Sequence, residues 1–227
     1  MTPAVLGAIA AKHRATGGGG GSDPDFASVT LLCHMDSAAG SALTDVKSHT
    51  LTLAGGAAID NTNKKYGAGS VLFPNGGRVS VGASSDWSMT GDFTIEAWAN
   101  WNSSPAGSDI FNLPGDWVVG RDSTGRLYLY HTAFHIQSAA SSVALNAWYH
   151  VALTRSGTTM TLWLNGTSVG TYTFAGTVGS NSVWYIGAFD GAGSESMQGN
   201  IDDFRLTKGV ARYTSAFTPP AAAFPNS

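Results

Sequence analysis

Glu96 stands in the segment FTIEAWAN, and its same-face neighbours in an extended strand are Trp98 and Asn100, not a second acid. Glycoside cleavage needs two carboxyls across the scissile bond, roughly 5 to 5.5 Å apart for retention and 6.5 to 9.5 Å for inversion. Glu96 therefore reads as a structural carboxylate bonded within the sheet or at its edge. Asp202-Asp203 is the only adjacent acidic pair. Consecutive residues of a regular strand point to opposite faces, so these two form no dyad: one faces solvent or a metal, and the other accepts hydrogen bonds from a loop. His131 and His135 lie four apart, but HTAFH lacks the glutamate of a helical zinc-hydrolase motif and follows the strand-like RLYLY, which makes it a loop between strands. Ser156-Gly157 sits in a polar turn without a nucleophile elbow. Gly17 to Gly21 is not followed by the Lys-Ser/Thr of a phosphate loop. No catalytic residue is assigned, and the chain reads as a non-enzyme.

Tryptophans offer a second chemistry, stacking on sugar rings. Trp98, Trp148, Trp163 and Trp184 fall inside strand-like runs, where packing needs the same residue. Trp101 and Trp117 flank the expected loop NSSPAGSDIFNLPGD, an insertion rich in Gly, Pro, Ser and Asp. With Tyr128 and Tyr130 on the adjoining strand, they are the expected carbohydrate-binding residues at the surface.

The elements that must hold these residues are strands. The 227 residues include 29 glycines and only two glutamates, Glu96 and Glu195, a composition of turn and strand formers. Short alternating or aromatic runs, among them VTLLCHM (29–35), FTIEAWAN (93–100), WYHVALTR (148–155), MTLWLN (160–165) and NIDDFRL (200–206), are separated by Gly, Asn, Asp and Ser. More than ten such runs without a long amphipathic helix predict a β-sandwich. Asn165-Gly166 predicts a type I′ hairpin turn that puts Leu162 and Leu164 on one face and Trp163 on the other.

Lys plus Arg 12 against Asp plus Glu 15, with no basic cluster, excludes a partner bound through phosphate contacts, so no nucleic acid is expected. The single Cys33 rules out an internal disulfide and a thiolate zinc cluster. No run reaches 18 apolar residues, so no membrane span is expected. At the start, positive charges follow the short apolar patch instead of preceding it, unlike a signal peptide. Thr2-Pro3 caps a short helix with Val5, Leu6 and Ile9 on one face, followed by the Gly17 to Gly21 tether. A helix of about twelve residues is marginal alone in water, so Val5, Leu6 and Ile9 are expected to dock on a partner. The expected organisation is a docking arm over 1–22 and a folded body over 23–227 ending in an extended, proline-containing strap.

WYHVALTRSGTTMTLWLNGTSVGTY, the following VWYIGAFDGAGSESMQGNIDDFRLTKGVARYTSAFTPP, FTIEAWAN and LLCHMDSAAGSALTD together resemble the laminin-G-like branch of the concanavalin A-like jelly rolls over about residues 29–220. The resemblance implies an all-β, two-sheet antiparallel jelly-roll sandwich with the first and last strands, 29–35 and 200–206, adjacent. The family's retaining glucanases carry Glu, one residue, Asp, two residues, Glu on one strand; FTIEAWAN lacks that set. A structural calcium ion is implied at Asp36 and Asp202. The ending RYTSAFTPPAAAFP is similar to that of bacteriophage virion proteins. By that resemblance the chain is expected at the surface of a virion, as a decoration, fibre or tail-associated component anchored by its arm to capsid or tail proteins. It would be homo-oligomeric or multicopy there. The alternative is an adhesion module that recognises surface glycans of a host.

Overall fold

In the strand Phe93–Trp101, Phe93, Ile95, Ala97, Ala99 and Trp101 enter the core, and alternation sends Thr94, Glu96, Trp98 and Asn100 outward; yet every residue of it is buried. A strand closed on both sides sits at the centre of a sheet whose outer face is itself covered. The computed structural model describes residues 22–227, so the arm expected over 1–22, with Val5, Leu6 and Ile9, lies outside the described residues apart from Ser22.

The strands are β1 (Val29–Cys33), β2 (Leu51–Ala54), β3 (Ala58–Asp60), β4 (Ser70–Phe73), β5 (Arg78–Val81), β6 (Phe93–Trp101), β7 (Gly107–Leu113), β8 (Trp117–Asp122), β9 (Leu127–His131), β10 (Ala133–Gln137), β11 (Trp148–Ser156), β12 (Thr159–Leu164), β13 (Thr167–Thr173), β14 (Trp184–Ile186) and β15 (Gly199–Lys208). One sheet runs β13-β12-β11-β6-β15-β4-β3, with β1 also paired to β15; the other runs β10-β9-β8-β7-β14-β5-β2. All pairings are antiparallel, and the fold is the two-sheet jelly roll. Cys33 lies opposite Phe204, so the first and last strands do pair. The β12–β13 turn takes φ 49° at Asn165 and 78° at Gly166, the left-handed pair that a type I′ turn needs. Leu162 faces the core while the Trp163 indole donates to Thr154 Oγ1 at 2.8 Å on the outer side.

β15 is not a regular strand. Its register against β6 shifts between Asp202 and Arg205, and Asp203 takes φ 51°. A bulge of this kind adds a residue to one strand, so Asp202 and Asp203 both serve the outer side, while Ile201 and Phe204 remain in the core. Asp202 holds the loop at Lys65 and Tyr66, and Asp203 accepts from Phe224 N at 2.7 Å and meets His34 Nδ1 at 2.6 Å. The opposite-face expectation fails because it assumed an unbroken strand.

The strap closes the outer face of the eight-stranded sheet. Tyr213 and Phe217 stack at 3.5 Å, Phe217 meets Trp163 edge-on, and Tyr66 Oη donates to the Pro220 carbonyl at 2.6 Å. Phe224 covers the Arg205 guanidinium at 3.9 Å and packs with Val29 and Leu32. Beneath, Arg205 donates from Nε and Nη2 to Glu96 Oε1 at 3.0 and 2.7 Å, and Tyr213 Oη donates to Glu96 Oε2 at 2.8 Å. Asp23 accepts from both Arg205 and Arg212. Burial alone would raise the Glu96 carboxyl, but the Arg205 charge and the His150 hydrogen bond hold it well below the usual carboxylate range.

Trp101 and Trp117 are not at the surface: they are 0% and 2% exposed and belong to the core. The segment between them is not a loop but contains β7, so Trp101 ends one strand and Trp117 begins another, both at inward positions of the alternation. Trp117→Ala is expected to lower unfolding free energy by about 3–5 kcal/mol through the cavity it leaves, measured by denaturant titration. At His34, burial alone would pull the imidazole down, but hydrogen bonds to Asp203 and Asn226 and the charges of Asp203 and Asp36 push it up to about 9. A raised histidine stabilises fully below its unfolded value near 6.5 and loses that contribution as pH rises through about 9. The melting temperature of the wild type should accordingly fall between pH 6.5 and about 9, and His34→Gln should flatten that fall.

Candidate functional site

With one outer face closed by the strap, the outer face of the seven-stranded sheet is the open one. Its residues follow from the register. Phe134 on β10 pairs with Tyr130 on β9, Tyr130 with Val118 on β8, Val118 with Asn112 on β7, and Asn112 with Tyr185 on β14. Tyr185 in turn faces Ser80 on β5, and Ser80 faces Thr52 on β2. The alternate residues, Val79, Ile186, Phe111, Val119 and Leu129, are in the core. A second row, Asp109, Gly120 and Tyr128, runs beside the first.

Phe134 is 55% exposed and stands edge-on to Tyr128 at 5.2 Å and to Tyr130 at 5.3 Å. Tyr130 and Tyr185 are partly exposed, whereas Val118 and Asn112 between them are buried. Val118 and Asn112 are thus covered, and the exposed parts of the row are the rings on either side of them. The Asn112 amide donates to the Phe189 carbonyl at 2.6 Å, and its Oδ1 has no partner among the described residues.

The floor is stiffened from below. Tyr128, 4% exposed, donates from its hydroxyl to Asp109 Oδ1 at 2.6 Å, and Asp109 Oδ2 is buried without a partner. Burial pushes the Asp109 carboxyl well above the usual carboxylate range, only partly offset by the Tyr128 hydrogen bond, and the nearby Glu195 charge adds to the rise. Gly120 permits this contact: a Cβ there would lie 2.5 Å from Asp109 Oδ1 and 2.6 Å from the Tyr128 hydroxyl. The loop after β14 braces the other end, where Asp109 N donates to the Glu195 carbonyl at 2.9 Å. The partly exposed rings of Phe134, Tyr130 and Tyr185 can take the apolar side of an amphipathic ligand.

Of the four expected sugar-binding residues, the structure brings Tyr128 and Tyr130 to this face, with Tyr128 as buried support and Tyr130 available. Trp101 and Trp117 are inside. Sequence reading missed Phe134 and Tyr185. Tyr185 was signalled by alternation in VWYIGAF, since Trp184 and Ile186 take the core positions. Phe134 was hidden because the β9–β10 turn hinges on Thr132 at φ 59°, where no glycine or asparagine marks it.

Glu96 shares its face with no second carboxylate of β6 and is locked between Arg205, His150 and Tyr213. Asp36 Oδ1 accepts from the N–H groups of Ala68 and Gly69 at 2.8 and 3.1 Å, and Asp202 Oδ2 from those of Lys65 and Tyr66 at 2.7 and 3.0 Å. Burial raises the Asp202 carboxyl to about 7 against these hydrogen bonds, with the charges of Asp203 and Asp36 adding to the rise. Calcium takes six to eight oxygens, whereas the loop offers these acids N–H donors. Among the described residues no three His, Cys, Asp or Glu side chains form a metal-holding group. The residues present do not fit the implied ion; both acids anchor the 61–69 loop. Strict chelation should therefore leave the melting temperature unchanged, whereas Asp202→Ala, which frees two loop N–H groups, should lower it; calorimetry with and without chelator checks both.

The sequence pattern described as the concanavalin A-like lectin/glucanases superfamily matches residues 73–212. No curated protein matches the chain significantly. Among solved structures, domain 4 of an extracellular arabinanase from Geobacillus stearothermophilus, in complex with arabinotriose, is 15% identical with a TM-score of 0.63, over 81% of this chain and 94% of that one. The binding domain of botulinum neurotoxin serotype D is 14% identical with a TM-score of 0.64, over 84% of this chain and 51% of that one. A mutant Trypanosoma rangeli sialidase with trans-sialidase activity is 17% identical with a TM-score of 0.64, over 85% of this chain and 32% of that one. At these identities the likenesses concern the fold alone. The sequence match, carried by a jelly roll in which β6, β11 and β15 lie side by side, makes the chain a member of the concanavalin A-like lectin/glucanases superfamily.

Proposed function

We propose that the chain is a non-catalytic glycan-binding module and that the outer face of the seven-stranded sheet is its contact surface. The observation that carries this reading is that Phe134, Tyr130 and Tyr185, aligned by the register across β10, β9, β8, β7 and β14, present partly exposed aromatic rings on one sheet face. Tyrosine suits this task because it offers a large amphipathic surface at the cost of only two side-chain torsions.

Two fold neighbours lend support. One is an arabinanase domain in complex with arabinotriose, the other a toxin binding domain. These favour glycan recognition over the decoration, fibre or tail role that the bacteriophage resemblance suggested. That role rested on the ending RYTSAFTPPAAAFP and on a docking arm whose Val5, Leu6 and Ile9 lie outside the described residues.

Folded wild-type protein should bind at least one class of polysaccharide saturably in a glycan array and by titration calorimetry. Tyr130→Ala and Phe134→Ala should each weaken it by about 1–3 kcal/mol, taking the loss of one aromatic stacking platform as the measure. Their melting temperatures should stay near that of the wild type, because both rings are partly exposed. Absence of binding to any glycan by correctly folded protein would overturn the proposal.

A further inference from the structure

The β9–β10 hairpin faces two ways. On its outer side it carries Tyr130 and Phe134, paired in register and open to solvent in part. On its inner side Leu129 and Ile136 enter the core, and the register shift between Phe134 and Ile136 leaves His135 as an extra residue. His131 falls on the same inner side as Leu129 by alternation and lies flat on the Trp117 indole, 3.9 Å away at 4°. His135 lies flat on Tyr172 of β13, 3.8 Å away at 13°. Two aromatic rings of the proposed ligand face thus stand on a hairpin that two histidines fasten from behind.

What the histidines fasten it to is the other sheet. β10 ends the seven-stranded sheet and β13 the eight-stranded one, and among the described residues no hydrogen bond joins the two strands. Side chains alone close this seam. His135 rests on Tyr172, His131 stands edge-on to Phe174 at 5.8 Å, and Ile136 meets Gly170, where a Cβ would lie 3.0 Å from Ile136 Cγ2. Both imidazoles are half-buried, with ring centroids 6.3 Å apart, and His135 Nε2 is held by the His131 carbonyl at 2.8 Å. An aromatic face attracts a cation, so a first proton is tolerated in the seam. A second sets like charges side by side in partly desolvated surroundings. The other titratable groups that face the pair are Tyr172 on β13 and the exposed Asp116 in the turn before β8, whose carboxylate favours a charged His131. Burial, with the His135 charge added to it, outweighs that carboxylate and holds His131 below the usual imidazole value.

Resting on the glycan-binding reading above, we infer that the β9–β10 hairpin is an acid-released clasp: neutral histidines hold it against β13 and so present Tyr130 and Phe134, and protonation of both frees it and withdraws the two rings from the ligand. A histidine held below its unfolded value contributes fully above about pH 6.5 and loses that contribution as pH falls. The clasp therefore opens below about pH 6.5. His34 acts in the opposite window, since its contribution is complete there and is lost only toward alkaline pH. Release in acid is thus a local event at one edge of the sandwich, with the charged layer under the strap still in place.

The test uses the full chain at about pH 7.5 and about pH 5, which bracket histidine titration. Amide hydrogen exchange, corrected for the intrinsic effect of pH, should rise about tenfold in β9 and β10 and stay level in β6 and β11. Nuclear magnetic resonance should show His131 titrating below about 6.5. Affinity for a fixed panel of arabino-, xylo-, cello- and malto-hexaoses should fall about tenfold over the same range, one unit of displaced pKa being a factor of ten. The double variant His131→Phe, His135→Phe keeps two flat rings in the seam and takes up no proton, so it should show neither change. Asp116→Asn removes the facing carboxylate at a position with φ 59°, which asparagine tolerates, and should deepen both. Level exchange of the hairpin in acid, a His131 that titrates at its unfolded value or above, or a loss that persists in the double variant would overturn the clasp. Exchange that rises while affinity holds would overturn its coupling to the ligand face. Silence of the panel and of the array at both pH values would instead remove the glycan-binding reading and that coupling with it, and the clasp would then stand or fall on the exchange alone.

Discussion

The pair between Arg205 and Glu96 is the constraint around which the remaining structure is organised. Both side chains stand on the outer face of the eight-stranded sheet, on neighbouring central strands, and both are buried. Charges withdrawn from water must be paired and hydrogen-bonded, because desolvation costs several kcal/mol per ion. Asp23 from the beginning of the body and Arg212 and Tyr213 from its end complete that pairing. The two ends of the body described from Ser22 onward are therefore bound over this face by the same charges that need cover. Asp23 N even donates to the Ser227 carbonyl at 2.5 Å. Once the strap lies there, the face that carries Glu96 is closed.

The bulge in β15 belongs to the same arrangement. Without it, Asp202 and Asp203 would point in opposite directions, and one carboxylate would enter a core of Leu31, Phe111 and Phe204. The left-handed turn at Asp203 is unfavourable for a non-glycine residue, but it brings both acids to the outer side. There Asp202 ties down the 65–66 backbone and Asp203 ties the strap to His34. Local backbone strain is exchanged for two anchors that keep the charged layer covered.

This division of labour explains which features could be read from the residues. Strand alternation in FTIEAWAN and WYHVALTR, and the turn at Asn165-Gly166, are local signals, and the sandwich followed from them together with the resemblance. Glu96 as a structural carboxylate was legible because its same-face neighbours are not acids. The ion pairs that hold it were not, since Asp23, Arg205 and Arg212 meet only through the fold. Trp101 and Trp117 were misplaced for a compositional reason: Gly, Pro and Ser around DIFNL look like a loop, whereas β7 runs through the segment and pulls both indoles inward. Tyr128 and Tyr130 came out on the expected strand, but alternation alone could not tell that one would be covered by Phe134 from the β9–β10 hairpin.

The open face owes its shape to what lies under it. A ring that must reorder on binding forfeits part of the contact energy as lost rotamer freedom, and a site gains when its supporting shell is already locked. Here the Tyr128 hydroxyl is bonded to a carboxyl that burial pushes toward its neutral form, and Phe134 leans on both Tyr128 and Tyr130. Gly120 admits that bond by having no side chain, and the Glu195 carbonyl fixes the backbone of Asp109. Tyr130 is thus presented beside a buried layer in which the Tyr128 hydroxyl and Asp109 Oδ1 are bonded to each other. The spacing of the rings on this face is set by the strand separation itself.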